Sequence, residues 1–307
     1  MNQHIAKLQP IGVACAGWHR FKVGDFEITA VSDGQLPLQP SSGFDGAPVA
    51  EIDGLLAESF LPNDRLMLGQ NCLVVNTGAR LALIDTGMGD SMGEASHMFG
   101  PSTGHMVENL RAAGFDPADI GVVILTHAHA DHSWGLVDAE GRAVFPNAEL
   151  ALSEDELRYW TDEGNRALSP FNDINVRGAI RNLTPYLDRL IMVRDEAEVI
   201  PGIVGVASPG HSIGHHGYLI ASGAESVFNI GDLAHHHVLA LRRPDWEISY
   251  DTDPKLAVRS RRRILDRLAT DRTPVLGYHF PWPGLGHIAR LADGYVWVAT
   301  PLDTFML

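Results

Sequence analysis

Residues 126–132, THAHADH, place three histidines and one aspartate within six positions of one another. They follow the apolar run 121–125, GVVIL, whose β-branched residues predict a buried strand. Alternate side chains of an extended segment point the same way, so His127, His129 and Asp131 can converge while His132 faces a neighbouring position. Three imidazoles and a carboxylate this close together suit Zn²⁺. The stretch therefore predicts a metal site at the end of a strand.

Three further apolar runs lead into residues of the same chemical kind. The run 203–207 precedes His211, the run 226–231 leads to Asp232, and a last run leads to His279. Ligands of open α/β sheets bind beyond the carboxyl ends of the strands, so we expect one shared site at one sheet edge. These groups exceed what one tetrahedral ion needs. The sequence therefore predicts two metal ions.

The remaining segments indicate a mixed α/β protein. Alternation and turn residues predict strands over 26–31, 72–76 and 81–84, and apolar spacing predicts helices over 102–114, 154–162 and 254–269. Residues 165–188 are predicted to be a crossover between strands. The arginine run 259–263 in the last helix is interpreted as a solvated face.

Composition excludes several classes of protein. The chain has 307 residues and 23 Lys+Arg against 38 Asp+Glu, a net charge of −15, which argues against a nucleic-acid partner. Its apolar stretches fall short of the ~20 residues that cross a bilayer. Two cysteines, Cys15 and Cys72, give no disulfide framework. We expect one cytoplasmic domain over 1–307 with an N-terminal extension of about 1–20, although a removed leader would leave no trace.

The order of motifs resembles the metallo-β-lactamase superfamily. It comprises LIDTG at 83–87, the HxHxDH motif at 127–132, PGHSIGH at 209–215, the pair Gly231-Asp232, and the late His279. The resemblance covers roughly residues 20–300. It implies a four-layer αββα sandwich, an α/β fold in which two mixed β-sheets face each other and helices lie outside.

The ligand set follows from this resemblance, position by position. One ion is expected on His127, His129 and His211, the second on Asp131, His132 and His279, with Asp232 bridging both. Two zinc ions are expected, with Mn, Fe or Co as alternatives, and a hydroxide shared by the ions is the expected nucleophile. The resemblance also implies that Asp85 orients a ligand histidine, and it assigns catalytic parts to Asp131, Asp232 and His215.

A narrower resemblance concerns the substrate. Residues 24–34, 145–148 and 279–288 resemble the branch of methyl parathion hydrolase and related lactonases. This implies hydrolysis of small neutral hydrophobic esters, lactones such as acyl-homoserine lactones, or organophosphate triesters. The alternatives are hydrolytic dehalogenation of an activated chlorinated aromatic, or a nuclease of the same superfamily. Lactonases of this superfamily place a tyrosine near the leaving group, but no tyrosine of this chain is assigned to that position.

The expected pocket is apolar. Trp134 and Trp282 follow ligand residues closely and are placed to wall it, with core packing as the alternative for both. His236 is the candidate for contact with substrate, against an exposed or core role. Roles for His235, His237 and His287 stay open. The expected partner is a neutral small molecule rather than a membrane or nucleic acid, and a homodimer is compatible with the sequence.

Overall fold

The computed structural model describes residues 15–302. Residues 1–14 of the predicted N-terminal extension lie outside this range. The first strand begins at Trp18, so the last residues of the predicted extension belong to the sheet.

Eight of the strands in the described chain lie between residues 18 and 193. They are β1 (Trp18–Val23), β2 (Phe26–Leu38), β3 (Phe44–Asp45), β4 (Leu66–Asn76), β5 (Leu81–Ile84), β6 (Val122–Ile124), β7 (Glu149–Ser153) and β8 (Leu190–Val193). All except β3 form one sheet in the order β1-β2-β4-β5-β6-β7-β8. Pairs from β1 to β5 are antiparallel and pairs from β5 to β8 are parallel, so this sheet is mixed.

Eight further strands of the described chain lie between residues 197 and 299, and all of them except β13 form a second sheet. They are β9 (Ala197–Ile200), β10 (Ile203–Ala207), β11 (His216–Ser222), β12 (Glu225–Asn229), β13 (Glu247–Ile248), β14 (Val275–Leu276), β15 (Leu285–Leu291) and β16 (Gly294–Ala299). The order is β16-β15-β14-β12-β11-β10-β9, with a parallel pair at β12 and β14, while β13 pairs with β3. This sheet is also mixed.

Helices of the described chain lie mainly in the connections between strands. They are α1 (Pro40–Gly43), α2 (Val49–Glu58), α3 (Met106–Ala112), α4 (Ala130–Ser133), α5 (Glu154–Trp160), α6 (Pro170–Leu183), α7 (Leu239–Arg242) and α8 (Pro254–Asp271). Helix α6 lies within the predicted crossover 165–188 and connects the parallel strands β7 and β8, as expected. Among the described residues, no helix combines the length and apolar content needed to span a bilayer.

The predicted helix 102–114 is too long at its start. The helix begins at Met106, because Gly104 has a φ of 86° and Asp33 accepts hydrogen bonds from the main-chain N–H groups of both residues. A positive φ interrupts a right-handed helix, and glycine adopts it without strain.

The buried side chains show how the two sheets and the helices pack in layers. Between the sheets, Ile28, Val75 and Ile124 of the first sheet share a core with Tyr218 and Ile220 of the second. On the outer face of the first sheet, side chains of α3, α5 and α6 pack on β5, β6 and β7. On the outer face of the second sheet, α8 packs on β10, β12 and β14. The predicted αββα sandwich is confirmed.

Candidate metal centre

The candidate site lies where loops from both sheets meet. The loop after β6 carries His127 and His129, and the loop after β10 carries His211. Asp232 follows β12, and His279 follows β14. The expectation of a single sheet edge is therefore wrong: because the two sheets face each other, the edges of both contribute side chains.

Three histidines form the first group. Nε2 of His127 and Nε2 of His211 each lie 3.0 Å from Nδ1 of His129. All three side chains are buried. Burial lowers the pKa of His127 and that of His129 well below the usual value, which favours neutral imidazoles. Because the neutral imidazole is the form that binds a metal, these nitrogens can hold one ion.

The second group contains a carboxylate and two histidines. Oδ2 of Asp131 lies 3.6 Å from Nε2 of His132 and 3.5 Å from Nε2 of His279. Asp131 Oδ2 and His132 Nε2 are buried, and neither has a hydrogen-bond partner among the described residues. A buried polar atom without a partner is costly. A cation between these atoms would satisfy both, so the residues present fit a second ion.

Asp232 faces both groups. Its Oδ1 lies 3.2 Å from Nε2 of His132, and its Oδ2 lies 3.3 Å from Nε2 of His211 and 3.2 Å from Nε2 of His279. Burial alone would raise the pKa of Asp232, but His132 and His279 hold it well below its usual range. An ionised carboxylate with one oxygen toward each group can bridge two ions.

The structure places Asp85 behind His132. Oδ2 of Asp85 lies 2.9 Å from Nδ1 of His132, on the side of the ring away from the site. Thr126 holds the carboxylate through its N–H at 2.8 Å and its hydroxyl at 2.9 Å. A carboxylate on one ring nitrogen fixes the tautomer and leaves the other nitrogen free for a metal.

Asp251, which is not among the residues predicted from the sequence, makes the matching contact behind His211. Nδ1 of His211 donates to Oδ1 of Asp251 at 2.9 Å, and Arg261 contacts the other oxygen at 3.4 Å. Although burial lowers it, the carboxylates of Asp232 and Asp251 raise the pKa of His211 to about 9. Arg261 is 1% exposed and donates to three main-chain oxygens, so the expected solvated face is wrong at this arginine. No motif surrounds Asp251 that could have signalled its role.

His215 lies beside the site rather than in the cleft. Its Nδ1 donates to the hydroxyl of Ser208 at 2.7 Å, and its Nε2 accepts a hydrogen bond from the main-chain N–H of Asp232 at 3.0 Å. Because both ring nitrogens are occupied, the side chain holds the loop that carries Asp232. This geometry gives His215 no contact with a reacting atom, contrary to the expected catalytic part.

Of the neighbouring histidines 235–237, His235 rather than His236 faces the cleft. Nε2 of His235 lies 3.2 Å from Oδ2 of Asp232, and its ring stacks on His279 at 5.2 Å. His236 points away, and its Nδ1 accepts hydrogen bonds from the N–H groups of Val238 and Leu239 at the start of α7. The expected substrate contact of His236 is therefore wrong, because that ring nitrogen caps a helix.

The apolar wall also differs from expectation. Trp134 lines the cleft and at the same time packs in the core. Trp282 lines a separate cavity beside Asn71, because the tight turn from Gly277 to Gly284 directs it away from the metal centre. Its expected place in the pocket is wrong.

A cleft opens above the candidate metal centre. Its apolar walls come from the end of β2, from β4, from the loop before α3, from the turn after α4 and from α6. They include Leu38, Leu68, Phe99, Trp134, Phe171 and Ile174. Tyr250, which is not among the residues predicted from the sequence, also lines the cleft. Among the described residues no lysine or arginine lines it, so the walls favour a neutral, hydrophobic ligand.

Two solved structures and a curated relative resemble the chain. AidC, a dizinc quorum-quenching lactonase solved with the product N-hexanoyl-L-homoserine, has 30% sequence identity and a TM-score of 0.86, covering 94% of this chain and 99% of AidC. The hydrolase AbOPH of the beta-lactamase superfamily gives the same values. An N-acyl homoserine lactonase of Bacillus cereus is 26% identical over 171 residues, 52% of this chain. The match spans only 61% of the length of that relative.

Family membership rests on a match to a family model, and the fold agrees with it. Residues 66–279 match the model of the metallo-beta-lactamase superfamily, a span that begins at β4 and ends at the last histidine of the centre. It thus includes every residue of the two groups and Asp232. The chain belongs to the metallo-β-lactamase superfamily.

Proposed function

We propose that the protein is a dinuclear zinc hydrolase that opens neutral lactones, N-acyl homoserine lactones among them. The observation that carries the proposal is the position of Asp232 between two groups of ligand-type side chains at the floor of an apolar cleft. The lactonase names of AidC and of the Bacillus cereus relative support the choice of substrate.

The donor set supports zinc. Each group is rich in imidazole, and carboxylates complete the second group and the bridge, a combination that suits zinc. Mn, Fe and Co accept the same donors, so metal analysis decides between them. When bound, two such ions lower the pKa of a shared water toward neutrality and polarise the carbonyl or phosphoryl oxygen of a substrate.

The chain itself supplies orientation and selection. Asp85 and Asp251 hold the rings of His132 and His211 so that one nitrogen of each faces the centre. The apolar walls bind the hydrophobic part of a substrate, and Ile174 and Leu38 lie among them. With no lysine or arginine in the lining of the described cleft and a net charge of −15, anionic substrates such as phosphodiesters are disfavoured.

The test is a hydrolysis screen with metal content measured on the same sample. The purified protein is assayed on N-acyl homoserine lactones, an aryl ester, a phosphotriester, a phosphodiester and an activated chloroaromatic. We expect about two metal ions per chain and the highest kcat/KM for a lactone. A higher kcat/KM for the triester or the chloroaromatic would replace the lactone by that substrate, and preference for the phosphodiester would contradict the neutral cleft.

Asp232→Ala provides the matched variant for the metal centre. Because this carboxylate faces both groups, its removal should lower the occupancy of both sites and abolish hydrolysis. Asp131→Ala, which removes a ligand from one group alone, should retain about one ion. Two ions and normal turnover in Asp232→Ala would remove Asp232 from the bridge. Size-exclusion chromatography of the same samples tests the expected homodimer.

A further inference from the structure

Glu156 belongs to neither group, yet its carboxylate holds both loops that carry the three histidines. Its Oε1 accepts a hydrogen bond from the main-chain N–H of Ala128 at 2.8 Å, and its Oε2 accepts one from Gly214 at 2.8 Å. The hydroxyl of Ser212 lies 2.6 and 2.7 Å from the two oxygens. The side chain is fully buried.

These contacts adjoin the ligand-type residues on both sides. Ala128 separates His127 from His129 in the loop after β6, and Ser212 follows His211 in the loop after β10. The two loops belong to different sheets, and Nδ1 of His129 meets Nε2 of His211 across the gap at 3.0 Å. One carboxylate therefore connects the two loops directly behind the three-histidine group.

Residues of α5 and its N-cap direct Glu156 and its neighbours toward the two loops. Ser153 and Glu156 have the spacing of a capping box, in which the glutamate would return to the N–H of the capping serine. Here Ser153 accepts from the N–H of Glu156, but the carboxylate turns outward to the loops. Ser153 also donates to the main-chain oxygen of Gly214, and Trp160 donates to the hydroxyl of Ser212. Ser153, Glu156 and Trp160 share one helix face, and this face holds the loop of His211.

The loop of His211 approaches α5 closely at Gly214. A Cβ at this position would lie 2.2 Å from the hydroxyl oxygen of Ser153 and 2.4 Å from the main-chain nitrogen of Glu156. Glycine is thus required for the loop to reach the helix.

The contacts of Glu156 require a carboxylate, with an acceptor at both side-chain oxygens. Its hydrogen-bond partners are all neutral donors, namely two main-chain N–H groups and one hydroxyl. A buried carboxylate is tolerated only when such bonds satisfy it. Glutamine has the same shape but accepts at one atom only and donates at the other. It would therefore present an N–H to the N–H of Ala128 or of Gly214.

We propose that Glu156 is a positioning residue that sets the distance between the two loops and so the geometry of the three-histidine metal site. The inference rests on the proposed dinuclear centre. It concerns one of the two sites, since the contacts of Glu156 lie next to His127, His129 and His211 and not next to the group around Asp131.

Glu156→Gln tests the inference through metal binding as well as activity. Metal per chain is measured after equilibration with a graded chelator, and anomalous diffraction at the metal edge locates the retained ion. We expect affinity at the three-histidine site to fall at least 10-fold, so that one ion leaves first and the ion near Asp131 stays. kcat should fall by a similar factor with little change in KM, because the cleft walls are untouched.

Two further variants make the result decisive. Glu154→Gln lies on the same helix but is exposed and contacts only the surface residue Arg158 in an ion pair, so it should behave as wild type. Ser212→Ala removes one donor and leaves both N–H contacts, and it should shift the same site in the same direction by a smaller factor. If Glu156→Gln does not fold, Ser212→Ala carries the test.

Wild-type affinity at both sites in Glu156→Gln, or an equal loss from both sites with a lower apoprotein Tm, would overturn the inference. If Glu156→Gln does not fold, an unchanged three-histidine site in Ser212→Ala would overturn it as well. Failure of the wild-type protein to bind two ions would instead overturn the proposed function. The two failures are therefore distinguishable.

Discussion

Nδ1 of His211 donates a hydrogen bond to Asp251 at 2.9 Å while Nε2 of the same ring lies 3.3 Å from Asp232. His132 has the same arrangement, with Asp85 at 2.9 Å behind it. Each of the two groups thus contains a histidine whose orientation is fixed by a buried carboxylate. The two halves of the centre are supported in the same way, although Asp85 follows β5 of the first sheet and Asp251 precedes α8.

Asp251→Ala should weaken metal binding by about 10- to 100-fold, because the outer partner of a ligand histidine fixes its tautomer and raises its basicity. The loss also leaves Arg261 buried without its carboxylate. Asp251→Asn retains an oxygen that can accept from His211, so its affinity should fall less. Chelator competition measures both variants. Equal, wild-type affinity in the two would show that the contact does not support the metal site.

The ligand-type residues could be predicted because they are local. They lie within a few residues of strand ends, and strand ends in an α/β fold converge. Asp251 and Glu156 could not be found this way, since their partners are 40 and 56 residues distant in sequence and no spacing links them.

The direction in which loop side chains point could not be predicted from the sequence either. His235 and His236 are adjacent in the sequence, and only the path of the chain into α7 decides which one faces the cleft. Trp282 follows His279 by three residues, yet a turn directs it to another cavity. The cleft walls at Leu38 and Ile174 come from segments without any motif.

Asp33 should make stability depend on pH. This fully buried carboxyl accepts hydrogen bonds from the N–H groups of Met88, Gly104 and Met106. Burial nevertheless raises its pKa from 3.8 to about 6. Between these values the folded protein holds a proton that the unfolded chain has lost. The contribution of Asp33 to stability is therefore full below pH 4 and is lost as pH rises through 6.

The size of this effect is about 3 kcal/mol, from the rise in pKa. Urea unfolding of the metal-free protein and of Asp33→Asn, at intervals from pH 4 to pH 7, isolates it. The free energy of unfolding of the wild type relative to the variant should fall by that amount across the range. A constant difference would contradict a raised pKa for Asp33.

His235→Ala should retain both metal ions, since neither the three-histidine group nor the group around Asp131 includes this side chain, although His235 also lies close to His211 and Asp232. Its ring lines the cleft beside Asp232, so we expect loss of a polar contact with the substrate. kcat/KM should fall about 10-fold, because the loss of one hydrogen bond costs a free energy of about 1.4 kcal/mol. His236→Ala removes the cap of α7 instead and should lower Tm with little change in kcat/KM. Loss of a metal ion from His235→Ala would show that His235 is itself a ligand.

Ile174→Trp should shorten the acyl chain that the enzyme accepts. Ile174 lies on α6 and lines the apolar cleft, where a larger side chain takes the space of the far end of a long substrate. Excluding about two methylene groups costs about 1.6 kcal/mol, so kcat/KM for a decanoyl lactone should fall roughly 15-fold relative to a butanoyl lactone. Trp282→Ala is the control, because that tryptophan lines a different cavity. It should leave the ratio of the two substrates unchanged. An equal fall for both lactones in Ile174→Trp would show that the acyl chain does not lie along this wall.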